Sequence, residues 1–234
     1  DWKQVKKVVS HHTKMIMINT PHNPSGAVLK EADVQELIKI TKDNDIIILS
    51  DEVYEHIIFD GIPHQSMARH PELANRSMIV YSFGKTFHVT GWKTGYVVAP
   101  QNLMAEFRKV HQFNVFTANS PIQYALADYM SNEDNYMHIG AFYQAKRDLF
   151  VSAVKASRFK IKPTRGTYFQ LLDYSKISKE EDTELAKRLT IEHKVASIPV
   201  SVFYHNPVQN NVLRFCFAKE DDTLKRAGDI ICNI

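Results

Sequence analysis

The chain has 234 residues, 44 % apolar and 24 % charged, with a formal net charge of +3, enough for one large domain or two modest ones around a sizeable core. Its basic residues are dispersed and no apolar run approaches the roughly 20 residues of a membrane helix, which argues against nucleic acid or a membrane as a partner. With 2 cysteines, Cys216 and Cys232, there is no disulfide framework, and with no secretory signal either a cytoplasmic setting is expected; the Asn75-Arg76-Ser77 sequon reads as chance.

Residues 1–10 look like the tail of an amphipathic helix, so the chain is expected to open in the middle of a domain. Three short apolar runs follow: Met15-Ile16-Met17-Ile18, Ile46-Ile47-Ile48-Leu49 and Met78-Ile79-Val80-Tyr81. Apolar on both parities, they suit strands buried on both faces, as in a parallel sheet. Between the first two, Val34, Leu37, Ile38 and Thr41 have helical spacing within 30–44. The result is a strand–helix–strand unit and a parallel α/β layer. Residues 95–99 read as a further strand.

The texture then turns helical. Leu103, Met104, Phe107 and Val110 share a helical face in 102–113. Residues 119–130 form a second helix with Pro121 in its first turn. Residues 133–157 suggest one long helix bridging two domains. Beyond it, 167–172, 195–200 and 212–217 read as strands. Residues 183–194 read as a helix with Thr183 or Asp182 as its cap, and 221–234 as a last helix. The expected organisation is an α/β large domain over 1–132, a connecting helix over 133–157 and a small α+β domain over 158–234.

In open parallel sheets, ligands gather beyond the carboxyl ends of the strands. After the first run comes Asn19-Thr20-Pro21-His22-Asn23-Pro24-Ser25-Gly26; after the second, Ser50-Asp51-Glu52-Val53-Tyr54; after the third, Ser82-Phe83-Gly84-Lys85. Strand ends that present an amide, a carboxylate with a phenol, and an amine suit Schiff-base chemistry with an aldehyde cofactor. Pyridoxal phosphate also needs a carboxylate at its ring nitrogen, so that the ring can accept electrons left at the substrate Cα. Arg214 interrupts a strand-like run, and because a bare buried charge is costly it should meet an anion.

Asn23-Pro24-Ser25-Gly26, Ser50-Asp51-Glu52-Val53-Tyr54, Ser82-Phe83-Gly84-Lys85-Thr86-Phe87 and Gly91-Trp92-Lys93-Thr94-Gly95-Tyr96, in this order and spacing, resemble the class I/II aminotransferases of fold type I. His22 and the segment Leu213-Arg214-Phe215-Cys216-Phe217-Ala218 place the resemblance nearest the methionine, aromatic and kynurenine branch. The resemblance spans essentially the whole chain. It implies a three-layer α/β/α large domain, pyridoxal 5′-phosphate as cofactor, amino acid and 2-oxo acid substrates, and a homodimer. It makes Lys85 the catalytic residue, bonded to the cofactor and moving the proton at Cα. Asp51 would hold the ring nitrogen, Tyr54 and Asn23 the 3′-oxygen, and Ser82 and Lys93 the phosphate. Asn23 and Arg214 would take the substrate carboxylate, Arg214 as a bidentate pair. Many relatives carry arginine where Lys93 stands, and lysine loses the two-pronged geometry. The family's amino-terminal part, which supplies ring stacking, backbone phosphate contacts and cross-dimer residues, has no counterpart here, so these residues alone are expected to bind the cofactor weakly.

Each signal has a plainer reading alone. Asn23-Pro24-Ser25-Gly26 is a turn, Asp51 a helix cap, Tyr54 a core aromatic, Ser82 a loop hydroxyl, Lys85 and Lys93 surface charges, and Arg214 half of an ion pair. Gly84-Lys85-Thr86 is not the end of a P-loop, which needs a glycine where Ile79 stands. The histidines lack metal-ligand spacing, so no metal is expected. Two functional alternatives stand beside transamination: a cysteine-conjugate β-lyase on the same scaffold, and a non-catalytic sensing module. Intact Lys85, Asp51 and Arg214 argue against the second.

Overall fold

The computed structural model describes residues 1–206, 208 and 210–234. The chain divides into two compact units, one of Asp1–Pro21 with Val28–Ile139, the other of His22–Ala27 with Gly140–Ile234.

The first unit is built on a four-stranded sheet in the order β1 (Met15–Asn19), β2 (Ile47–Asp51), β3 (Ser77–Ser82), β4 (Gly95–Val98). The pairs β1–β2 and β2–β3 are parallel, with Asn19 opposite Asp51 and Asp51 opposite Val80. β4 returns antiparallel, with Gly95 opposite Ser82. Helix α1 (Trp2–Val8) lies against α2 (Glu31–Thr41). The Trp2 indole donates to Asp33 at 2.7 Å, and Lys6 pairs with Glu36. The spacing of Val34 and Leu37 buries both against Ile48, Met67, Leu73 and Ile79, the apolar stripe that makes an amphipathic helix worth forming beside a sheet. The short α3 (Pro71–Ala74) leads into β3, and α4 (Phe83–Thr86) follows it directly. Helices α5 (Gln101–Asn114) and α6 (Ser120–Met130) complete the unit, with the Asn119 side chain capping α6 at the Ile122 amide.

One expectation for this unit fails. β1 is not buried on both faces: it is an edge strand among the described residues, and Met15 and Met17 are exposed. On α5, Leu103, Met104 and Phe107 are half-buried, whereas Val110 and Phe113 are 68 % and 88 % exposed.

The second unit holds α7 (Ile139–Val154), α8 (Asp182–His193), α9 (Asp221–Cys232) and an antiparallel sheet in the order β5 (Lys160–Ile161), β6 (Phe169–Asp173), β8 (Val212–Cys216), β7 (Ile198–Pro199). Leu172, Leu213 and Phe215 of the sheet are buried, and Phe150 of α7 meets the Phe215 ring at 6.1 Å. The long helix expected over 133–157 is shorter: Glu133–Asn135 form a 3-10 turn, and Gly140–Val154 belongs to the second unit rather than standing as a separate connector. The strand expected over 195–200 shrinks to Ile198–Pro199, where proline lacks the amide to extend a ladder. Neither Thr183 nor Asp182 caps α8. The cap position is Glu181, and the buried Asp182 accepts instead from the Ser201 amide (2.7 Å) and hydroxyl (2.6 Å).

Candidate active site

In the first unit, the expected residues gather where the strands end. Asp51 is the last residue of β2 and is half-buried; its Oδ1 accepts from the Val53 amide at 3.2 Å. Burial pushes its carboxyl above the usual range, Glu52 adds to the shift, and the Val53 bond and the Lys85 charge oppose it. The Lys85 amine is thus within electrostatic range of the Asp51 carboxylate. Lys85 rides on α4, which starts where β3 stops, and its Nζ lies 5.9 Å from the centre of the buried Tyr54 ring. An amine, an acid and a phenol thus share one region, brought there by two strand-to-turn junctions.

The α4 turn is tightly built. The Gly84 carbonyl accepts from the Thr90 hydroxyl at 3.0 Å, and a Cβ at Gly84 would fall 2.9 Å from the Thr90 Cα. Ser82 occupies the cap position of α4 without capping it, so its hydroxyl is not committed to that helix. It lines a groove of about 310 Å³ with Glu55, His56, Phe87, Tyr96 and Tyr136, among others. Lys93 is exposed and sits in the left-handed region, φ 56°, closing the 3-10 turn Thr90–Trp92.

The second unit carries the other two residues. Arg214 of β8 donates from Nη1 to the Asn23 Oδ1 at 2.6 Å. Its guanidinium covers the Phe169 ring at 3.9 Å and stands 5.7 Å from that of Phe203. Asn23 is presented by a turn in which the His22 amide donates to Ala27 (2.8 Å), the Gly26 amide to His22 (2.7 Å), and the His22 ring meets the Ser25 hydroxyl (2.7 Å). Gly26 is obligatory there: its φ is +65°, and a Cβ would lie 1.6 Å from the Thr164 Oγ1. Beside the pair lies a pocket of about 570 Å³ whose walls include Leu171, Val200, Phe203, Tyr204 and Val212.

Sequence reasoning missed a buried network around Glu52, and it missed the Phe203–Tyr204 wall. For Glu52 one signal was available: in a strand it must face away from Asp51. Its main partner, His64, gives no such signal.

The residues fit pyridoxal phosphate on the chemistry of the donor set: an amine electrostatically coupled to a half-buried acid, with a phenol and a hydroxyl close by. The sequence model of the class I and II aminotransferases matches residues 1–231. The methionine aminotransferase of Escherichia coli is 46 % identical over 98 % of this chain and 60 % of its own length. The kynurenine–oxoglutarate transaminase of Dictyostelium discoideum is 33 % identical over 93 % of this chain and 55 % of its own. The crystal structure of Escherichia coli YbdL, described as having a methionine aminotransferase function, superposes with a TM-score of 0.97 at 45 % identity, covering all of this chain and 62 % of that one. The chain belongs to the class I and II aminotransferase family, and its mixed α/β architecture is that of fold type I. It spans about 60 % of the length of these relatives.

Proposed function

We propose that this chain is the greater part of a pyridoxal-phosphate-dependent aminotransferase. The observation that carries the reading is the coupling of Lys85 to Asp51 beside Tyr54. Bound pyridoxal phosphate supplies an electron-accepting ring. Lys85 would hold the cofactor through its Nζ, and that amine would move the proton at the substrate Cα. Asp51 would hold the proton at the ring nitrogen. Tyr54 and Asn23 would bond the 3′-oxygen, while Ser82 and Lys93 would take the phosphate. Arg214, already oriented by Asn23 and the Phe169 face, pairs with the substrate α-carboxylate.

The donor is an amino acid with an apolar side chain, methionine or an aromatic residue, and the acceptor a 2-oxo acid. The apolar, aromatic-walled pocket beside Arg214 supports this class, as do the names of the relatives. A homodimer in the cytoplasm completes the reading. The apolar side chains exposed on α5 favour a second copy, and no helix among the described residues is long and apolar enough to cross a membrane.

The test is an absorbance titration with pyridoxal phosphate. The full-length protein is expected to develop the band of the lysine-linked cofactor and Lys85→Ala to lack it; an unchanged band in the variant overturns the assignment. A panel of amino donors then ranks methionine and aromatic amino acids against aspartate and alanine.

A further inference from the structure

Asp51 has a neighbour that the proposed chemistry does not use. Strand alternation turns Ser50 and Glu52 away from the direction of Asp51, and both are fully buried, at 0 % exposure. The Glu52 carboxylate is wrapped in donors. His64 donates from Nε2 to Oε2 (2.8 Å), the Tyr81 hydroxyl to the same oxygen (3.3 Å), and the Ser50 hydroxyl (2.9 Å) and Met67 amide (3.0 Å) to Oε1. The other ring nitrogen of His64 is buried without a partner, so this ring is held through Glu52. Packing alone would be served as well by an apolar residue, since taking a carboxylate out of water costs several kcal/mol.

What the network joins gives it a purpose. Glu52 follows directly on Asp51, the last residue of β2. Tyr81 precedes Ser82 and lies four residues before Lys85, and its ring stacks on Tyr96 of β4 at 4.7 Å. His64 and Met67 belong to the segment that returns the chain toward β3. The network therefore ties the end of β2 to the end of β3, the two junctions that present the acid and the amine. Electrostatics agree. Burial alone would raise the Glu52 carboxyl, but the bonds from His64, the Met67 amide and Ser66 outweigh it and hold the group below its usual range, whereas Asp51 is pushed up.

We propose that Glu52 is a positioning residue: by clamping the ends of β2 and β3 together, it fixes the carboxylate of Asp51 relative to the amine of Lys85. The inference rests on the cofactor reading above and names a residue that reading does not include.

Three substitutions in the full-length, cofactor-loaded protein test it. Glu52→Gln keeps the shape and one acceptor but loses the charge. His64→Gln offers an amide donor at similar reach. Tyr81→Phe removes one donor and keeps the stack on Tyr96. The readouts need no substrate: the equilibrium affinity for pyridoxal phosphate, the pH midpoint of the bound cofactor's absorbance change, and the Tm of the apoprotein. Glu52→Gln is expected to weaken the cofactor about tenfold, the scale of outer-layer contacts at metal sites, and to displace the pH midpoint. His64→Gln should recover most of the affinity. If Glu52→Gln does not fold, Tyr81→Phe carries the test, with a smaller loss of affinity and a displaced midpoint at unchanged apoprotein Tm. Wild-type affinity and midpoint in the variant that folds, with only the Tm lowered, overturn the inference and leave the functional reading standing. If the wild-type protein does not take up pyridoxal phosphate through Lys85, both fall together.

Discussion

Glu55 shows how far one side chain's surroundings can move its chemistry. It follows Tyr54, its Oε1 accepts from the Tyr96 hydroxyl at 3.4 Å, and it lies 3.6 Å from the His56 ring. Burial pushes its carboxyl from 4.5 up to about 7; Glu52 adds to the shift, and His64 and the Tyr96 bond oppose it. The folded chain thus holds this proton more tightly than the unfolded chain. The resulting stability is fully present below about pH 4.5 and is lost as pH rises to about 7. Glu55→Gln mimics the protonated form, so it should remove this slope. Against the variant, the wild-type protein should lose on the order of 1 kcal/mol of unfolding free energy between these limits, discounted for the group's partial exposure. Urea unfolding of both proteins across that range measures it. A difference independent of pH would show that Glu55 titrates normally.

At the scale of elements, the turn carrying Asn23 is a tightly constrained piece of backbone. Its Gly26 combines φ +65° with a hypothetical Cβ 2.7 Å from the Gly166 carbonyl as well as against Thr164. Rotating the threonine cannot relieve the carbonyl contact. Gly26→Ala should therefore cost about 2–4 kcal/mol, strain and overpacking together, read as a lower midpoint in chemical denaturation; a cost under about 0.5 kcal/mol, typical of an exposed surface position, would refute this account of the turn. The sequence announced the turn through its Asn-Pro-Ser-Gly chemistry, but not what would crowd it, because Thr164 and Gly166 lie far along the chain. The same division runs through the fold. The strands ending in Asp51 and Ser82 were legible because buried strands have a short apolar signature, and α2 because its apolar residues recur with the helical period; β1 carries the same signature, which does not distinguish a central strand from an exposed edge. Asp182 was misread as a cap because a carboxylate at a helix start looks the same whether it faces its own helix or the distant Ser201. In the candidate site, the placement of Lys85 and Asp51 at strand ends was legible from the apolar runs before them. The Glu52 network was not, because hydrogen-bond partners separated by 12 and 29 residues leave no local pattern.

For the whole molecule, the decisive surface is the apolar one that α5 and α6 leave open. Phe113 is 88 % exposed, Phe116 78 %, Tyr124 80 % and Val110 68 %. Single exposed apolar residues are ordinary, whereas several on neighbouring elements mark an interface. The residues are large, two of the four are phenylalanine, and none has a polar tip to justify water contact except Tyr124. A second copy of the chain is the proposed occupant, and a two-fold pair would set the same residues of both copies against each other. Replacing Phe113 and Phe116 together by aspartate should convert a dimer of the full-length protein into a monomer in sedimentation velocity, with the circular dichroism spectrum retained. Introducing charge at the centre of a buried contact costs several kcal/mol of association, enough to lower the affinity more than a hundredfold. A wild-type protein that sediments as a monomer, or a double variant that remains dimeric, would remove these helices from the interface.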